Sequence, residues 1–163
     1  MGDLSALDGI YDLTAGELYG LALWRTGSRA DAEDAVQTVF VRLAGARKRL
    51  SAVREPRSYL LAMVHRAAVD LRRGPPARTV PLAEEPVLLQ AITPDPARAL
   101  DARRASEALQ ELPAPQREAI FLHHFGGLTF ASIGRVTGVP TFTAASRFRH
   151  GIAALRRILR LSP

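Results

Sequence analysis

The stretch VTGVPTFTAASRFRHG, residues 136–151, decides how the C-terminal part of this chain folds. Gly138, Val139 and Pro140 form a turn signal, and the segment after them begins with small or hydroxyl-bearing residues and ends with basic ones. Two helices joined by a short, glycine-containing turn are typical of a helix-turn-helix. In that motif, the first residues of the second helix contact base edges in the DNA major groove. The stretch therefore predicts a DNA-reading helix that starts near Thr141.

The predicted second helix, residues 141–161, has one apolar and one basic face. At about 100° per residue, the face expected to pack inward carries Phe148, Ile152, Leu155 and Leu159. The remaining surface carries the residues that we predict to contact duplex DNA, namely Phe142, Thr143, Ser146, Arg147, Arg149 and His150, with Arg156, Arg157 and Arg160 further along. A solvated amphipathic helix is the alternative. The turn, the short preceding helix and the lack of nearby acidic residues favour DNA binding.

Composition and charge agree with a folded protein that binds nucleic acid. The chain has 163 residues, 47% hydrophobic and 23% charged, which are globular proportions. Its net charge is +6, and every basic residue except Lys48 is arginine. No acidic residue follows Glu118, so the last part of the chain is purely cationic. Arginine suits this role because its planar guanidinium can donate two parallel hydrogen bonds to one phosphate or to one guanine edge.

The sequence gives no sign of catalysis, export or membrane insertion. The chain has no cysteine, which excludes disulfides, thiolate metal sites and cysteine nucleophiles. His123 and His124 are adjacent and lack a third ligand at metal-like spacing, and Asp31, Glu33 and Asp34 lack a second acidic cluster. We therefore expect no enzyme activity, no metal and no cofactor. No apolar run approaches the roughly 20 residues of a membrane span, and the cytoplasm is the default location.

Proline content divides the chain into two helical parts. Six of the eleven prolines lie between Pro75 and Pro96, which predicts a flexible linker. We expect an all-α protein with two small domains, residues 1–74 and 97–163, joined by the linker 75–96, the second domain being a helix-turn-helix. The predicted helices are Leu4–Leu13, Ala15–Thr26, Arg29–Arg49, Pro56–Arg73, Ala97–Glu111, Pro115–His124, Phe130–Thr137 and Thr141–Leu161, with Ser28 as a helix cap.

Two long segments together resemble one protein family. ELPAPQREAIFLHHFGGLTFASIGRVTGVPTFTAASRFRHGIAALRR, residues 111–157, resembles region four of bacterial sigma factors of the extracytoplasmic-function (ECF) group. GSRADAEDAVQTVFVRLA, residues 27–44, and EPRSYLLAMVHRAAVDLRR, residues 55–73, resemble region two of the same group. The resemblance implies a specificity subunit that directs core RNA polymerase to promoter DNA and assists melting. It also implies that an anti-sigma factor is a candidate partner, and it implies no membrane association.

The resemblance assigns roles to three sets of residues. The residues predicted above on the helix 141–161 would read the upstream, minus-thirty-five element. Region two would meet the polymerase clamp through Asp34, Gln37 and Phe40. It would hold the melted minus-ten strand with Tyr59, His65, Arg66, Arg72 and Arg73, and the alternative for Tyr59 is that it anchors the core. Cations that follow the backbone and an aromatic surface for a base are what single-stranded DNA requires. The pair His65-Arg66 departs from the usual Arg-Asn of the family, so full promoter melting is not implied.

A second function class stays open at this stage. An autonomous helix-turn-helix regulator would bind DNA without polymerase, with its N-terminal helices dimerising or binding a ligand. Such regulators pair two recognition helices about 34 Å apart on a palindrome. A sigma factor would instead read two unlike elements as a monomer.

Overall fold

A computed structural model describes residues 3–46, 49, 52–72, 104–105 and 107–161. The regular elements within these ranges are all helical, which confirms the all-α prediction. They are α1 (Asp3–Thr26), α2 (Arg29–Gly45), α3 (Pro56–Arg72), α4 (Ala114–Ile120), α5 (Phe130–Thr137) and α6 (Thr141–Leu161), and α4 continues into a π-helical turn (Phe121–Phe125). The predicted linker 75–96 lies outside the described residues.

Several predicted helix boundaries agree with the structure, and two do not, while the start of the predicted helix Ala97–Glu111 lies outside the described residues. The two predicted N-terminal helices, Leu4–Leu13 and Ala15–Thr26, are one continuous helix, α1, which runs through Thr14 without a break. Helix α2 ends at Gly45 rather than at Arg49. Ser28 is confirmed as the cap of α2, because its hydroxyl accepts from the Asp31 N–H at 3.3 Å.

The turn between α5 and α6 depends on two glycines. Gly138 ends α5 in the left-handed conformation, with φ +73°, which a residue without Cβ adopts at little cost. Gly134 lies where the turn passes against α5, and a Cβ there would approach the carbonyl oxygen of Val139 to 2.6 Å. At the start of α5, the Thr129 hydroxyl accepts from the Ser132 N–H at 3.1 Å. These contacts fix the angle at which α6 leaves the turn.

The π-helical turn widens the end of α4. The N–H of Gly126 donates to the carbonyl of Phe121 at 3.0 Å, five residues back, and that of Leu128 donates to Leu122 at 3.0 Å. Such single wide turns insert one extra residue into a helix. Here the wide turn brings the rings of Phe121 and Phe125 onto the same neighbour, Trp24.

The described helices form two groups that pack against each other. The N-terminal helices, α1–α3, bury a core that includes Leu21, Val39 and Leu60. The C-terminal helices, α4–α6, bury Leu122 and Ile133 among others. Helix α3 contacts α5, and α1 contacts α4, so the buried side chains of both groups belong to one cluster. The sequence did not predict this contact between the two groups.

Candidate nucleic-acid interface

The N-terminal half of α6 leaves three of its six predicted DNA contacts exposed to solvent. Phe142 is 75% exposed, and Arg149 and His150 are also exposed. Thr143, Ser146 and Arg147 are half-buried. On the opposite face, Ala144 is fully buried and Phe148 packs against the core. Helix α6 therefore has an open surface with Arg149 at the end that follows the turn, and exposed Arg156, Arg157 and Arg160 continue it towards the other end.

The inward stripe predicted on α6 is correct over three of its four positions. Phe148, Ile152 and Leu155 pack against the core, whereas Leu159 is 40% exposed. Ile158 packs in its place. Ile158 lines a groove together with Leu112 and Pro113 of the segment before α4.

His123 packs between Phe130 of α5 and Phe148 of α6. His123 stacks on Phe130 with ring centres 4.5 Å apart and meets the edge of Phe148 at 4.6 Å. Its Nδ1 is 2.8 Å from the carbonyl oxygen of Leu128. This histidine therefore links the π-helical turn, α5 and α6. In the described ranges, no three His, Asp or Glu side chains are grouped closely enough to hold a metal ion.

The structure separates the residues predicted to bind the melted strand. Arg66 is exposed on α3, and Tyr59 is half-buried against the core. His65 is buried, 9% exposed, between α3 and the C-terminal helices. The side chain of Arg72 and the whole of Arg73 lie outside the described residues. His65 can therefore contact DNA only when the two groups of helices separate.

The residues predicted to bind polymerase share helix α2. Asp34 and Gln37 are exposed, whereas Phe40 is half-buried and packs against the core. Val41, next to Phe40, is 73% exposed. The outer face of α2 thus combines polar side chains with one exposed aliphatic residue.

At the junction of the two groups lies a carboxylate that the sequence analysis did not single out. Glu118 of α4 is fully buried, and its Oε1 is 2.5 Å from Nδ1 of His65. Its Oε2 lies 3.4 Å from Nη1 of Arg25 on α1. Both partners therefore come from the N-terminal helices. The one sequence signal was that Glu118 is the last acidic residue of the chain.

Aromatic rings pack beside this carboxylate. Trp24, the single tryptophan of the chain, is 7% exposed and lies 5.2 Å from the ring of Phe121 and 5.4 Å from that of Phe125. The Trp24 carbonyl accepts from Nε of Arg117 at 2.7 Å. The rings and the ion pairs together form what we call the junction, made of Trp24, Arg25, His65, Arg117, Glu118, Phe121 and Phe125.

Two further arginines cross between the groups at the edge. Arg57 of α3 donates to the carbonyl of Gly126 and also to Glu17 of α1, at 2.9 Å for the Nε bond. The hydrogen bond to Glu17 raises the pKa of Arg57 above its ordinary value. Arg135 of α5 lies 3.8 Å from Glu55, an exposed pair of little energetic weight.

Family models match both groups of helices. The model described as Sigma-70 region 2 matches residues 10–74, and the model described as Sigma-70, region 4 matches residues 102–155. Together they cover most of the chain and occur in the order that the sequence motifs predicted. The chain belongs to the sigma-70 family. It is a sigma factor, and the resemblance stated from the sequence is confirmed.

Individual relatives place this sigma factor in the ECF group. It is 30% identical over 169 residues to the ECF RNA polymerase sigma factor SigK of Mycobacterium ulcerans strain Agy99, covering 97% of this chain and 88% of that protein. It is 31% identical over 167 residues to SigK of Mycolicibacterium vanbaalenii, covering 96% of this chain and 83% of that protein. The alternative of an autonomous regulator is not favoured, because region two and region four both match.

A solved structure shares the fold. The sigma factor RpoE of Bartonella quintana, in a co-crystal structure with the anti-sigma factor NepR, matches with a TM-score of 0.74 at 19% identity, over 98% of this chain and 100% of that one. This similarity supports the helical architecture. None of the helices in the described part of this sigma factor has the length and hydropathy that crossing a bilayer requires.

Proposed function

We propose that this sigma factor directs core RNA polymerase to promoters by using three separate surfaces. Helix α6 reads the upstream element as duplex, α3 holds the melted strand, and α2 attaches to the polymerase. The single observation that carries this proposal is the open N-terminal end of α6, where Phe142, Arg149 and His150 are exposed after a well-formed helix-turn-helix turn, in a chain that also matches region two. Residues 1–74, 75–96 and 97–163 are the proposed functional divisions.

The upstream surface consists of Phe142, Thr143, Ser146, Arg147, Arg149 and His150. The small residues Thr143, Ala145 and Ser146 let the helix backbone approach a base pair, and the exposed Arg149 and His150 that follow reach base edges or phosphates. Phe142, three-quarters exposed at the start of the helix, is suited to contact a thymine methyl group. Phosphate contacts give affinity that falls steeply with salt concentration.

The melted-strand surface lies on α3. Arg66 is exposed, and Tyr59, His65, Arg72 and Arg73 complete the proposed set on the same helix and just after it. Arginine follows the phosphates, and an aromatic ring offers a base a stacking surface. The polymerase surface consists of Asp34, Gln37 and Phe40 on α2, of which the first two are accessible.

The remaining properties follow from this role. The protein acts as a binding subunit and not as an enzyme, it works with polymerase in the cytoplasm, and it uses no cofactor. By analogy with the Bartonella quintana sigma factor, whose structure contains NepR, an anti-sigma partner is proposed here too. Its promoters are to be found by experiment.

Transcription of genomic DNA tests the proposal directly. Purified core polymerase is incubated with sheared genomic DNA, with or without the chain, and the 5′ ends of the transcripts are sequenced. The proposal predicts sharp 5′ ends that depend on the chain and share two upstream sequence elements. Specific DNA binding by the chain alone, with no new 5′ ends, would instead indicate an autonomous regulator.

Replacing Arg149 tests the upstream surface. Because Arg149 is exposed on the outer face of α6, Arg149→Ala is expected to weaken binding to the upstream element by about 1–3 kcal/mol. Fluorescence anisotropy with a duplex carrying that element measures this change. Arg160→Ala removes the same charge from the far end of the same helix and is expected to have a smaller effect. Equal effects would contradict base-edge contact by Arg149.

Replacing two exposed residues of α2 tests the polymerase surface. Asp34→Ala combined with Gln37→Ala is expected to weaken attachment to core polymerase by roughly tenfold, because both side chains are removed from the proposed contact. Phe40 is left in place because it packs against the core. Core binding is measured by competition with a labelled wild-type chain. Arg149→Ala serves as the control and should leave core binding unchanged, and a silent double variant would refute this surface.

A further inference from the structure

The junction joins two groups of helices that the proposed function requires to act apart. The upstream and melted elements named above are centred about 25 base pairs from each other, which is about 85 Å at about 3.4 Å per base pair. A compact chain of this length has a radius of gyration of about 15 Å, so its diameter is about 40 Å. With α3 packed against α5, the chain cannot reach both elements at once.

The closed arrangement affects the two DNA surfaces differently. The start of α6 stays open, since Phe142 and Arg149 are exposed. On α3, however, His65 is buried and bonded to Glu118. Glu118 of region four is therefore hydrogen-bonded to His65, a residue that the proposed function assigns to the melted strand. Closure covers part of the single-strand surface and leaves the duplex surface accessible.

Glu118 is placed to hold this arrangement. A fully buried carboxylate is unfavourable unless its oxygens are paired, and here one oxygen is bound by His65 and the other lies beside Arg25. The side chains of His65 and Arg25 are 11% and 18% exposed, so both lie at the edge of the contact between the two groups of helices. Water would therefore reach His65, Arg25 and Glu118 once the helices separate. Pairing of this kind selects one relative orientation more than it adds net stability.

We propose that Arg25, His65 and Glu118 form a latch that keeps this sigma factor closed until core polymerase binds. This proposal rests on the proposed function. Core polymerase then has to select or produce the open form, and the apparent affinity for core is reduced by the fraction of chains that are open. The latch is a self-contained restraint on α3 that acts without any anti-sigma partner.

The chain offers a direct measurement of closure. It has no cysteine, so two introduced cysteines can be labelled without background, at the exposed positions Ala44 of α2 and Ala153 of α6. Energy transfer between the two dyes reports whether the groups of helices are together. Emission of Trp24, the single tryptophan, gives an unlabelled second readout, because it is buried against Phe121 and Phe125 when closed.

Three variants are compared with the wild type in the full-length chain. Glu118→Gln preserves the side-chain shape and removes the charge. Arg25→Gln removes one partner of Glu118 at a partly exposed site. Far-UV circular dichroism shows whether each variant folds, and if Glu118→Gln does not fold, closure is measured on Arg25→Gln instead. Glu33→Gln makes the same charge change as the first variant on the exposed face of α2 and is the control.

A single high-transfer population is expected for the wild type and for Glu33→Gln. The two latch variants should gain a low-transfer population together with a red shift of Trp24 emission. In run-off transcription with core polymerase, Glu118→Gln should reach half-maximal initiation at about tenfold lower concentration than the wild type. Latch variants that stay fully closed, or a wild type that is already open, would overturn the latch. A wild-type chain that never initiates would overturn the proposed function and leave the energy-transfer result to decide the latch separately.

Discussion

Gly134→Ala is expected to destabilise the C-terminal helices by about 1–3 kcal/mol and to abolish tight binding to the upstream element. The new methyl group would lie 2.6 Å from the carbonyl oxygen of Val139, and this neighbour is backbone that cannot rotate away. The turn must therefore move outward. Since the same turn sets the direction of α6, the exposed arginine surface shifts with it. Urea unfolding followed by circular dichroism, together with anisotropy on upstream duplex, measures both effects.

The same substitution elsewhere in the chain provides the control. Gly16 lies within α1, and nothing stands within 4 Å of a Cβ built there. Gly16→Ala is therefore expected to stabilise the chain by up to about 1 kcal/mol through helix propensity alone, with duplex binding unchanged. If Gly134→Ala were equally stabilising, the close approach of the turn to α5 would be refuted.

Phe121→Ala is expected to lower the free energy of unfolding by about 3–5 kcal/mol. Phe121 is 4% exposed, belongs to the core of the C-terminal helices and lies against Trp24 of α1. Its loss leaves a cavity at the place where the two groups of helices meet. The variant should unfold at lower urea concentration, and the emission of Trp24 should shift to the red before global unfolding.

Phe125→Ala is the matched comparison. Phe125 contacts the same tryptophan at a similar ring distance but is 48% exposed at the end of the π-helical turn. Its removal loses ring contacts with Trp24, Phe121 and His124 but little burial, so a cost of about 0.5–1.5 kcal/mol is expected. Equal costs for the two phenylalanines would contradict the burial difference on which this pair of predictions is based.

Much of the local structure could be predicted from sequence because its signals are local. The turn of the helix-turn-helix was predicted from Gly138 and Pro140, and the start of α2 from Ser28, whose hydroxyl caps the helix as expected. On α2, the residues Val36, Val39, Phe40 and Leu43 recur at helical spacing, and Val36, Val39 and Leu43 are buried while Phe40 packs half-buried against the core. These features depend on neighbours within a few residues, which a sequence displays directly.

The junction could not be predicted in the same way. Glu118 meets Arg25 across 93 positions and His65 across 53, and no periodic pattern links residues so far apart. An acidic residue in a short helix normally faces water. The composition of the segment around Pro75–Pro96 predicted separate domains, and it carried no information on whether those domains touch. His65 was accordingly assigned to DNA without its buried partner.

The described members of each predicted set of site residues lie on a single helix, but they are not all exposed on one surface of that helix. The upstream set occupies one end of α6, and the polymerase set lies on α2. On α3, Arg66 faces solvent while His65 faces Glu118. Sequence reasoning located the helices that carry the function, and it could not tell which side chains of a helix would be covered by another part of the chain.

Footprinting on a promoter identified by the transcript sequencing tests the central claim most directly. The promoter duplex is probed with hydroxyl radicals for protection and with permanganate for unpaired thymines, using the chain alone, core polymerase alone and both together. A sigma factor predicts two protected windows about 25 base pairs apart, with reactive thymines in the downstream one, only when both proteins are present. Full protection of one symmetric site by the chain alone, with no reactive thymines upon addition of core, would contradict the account.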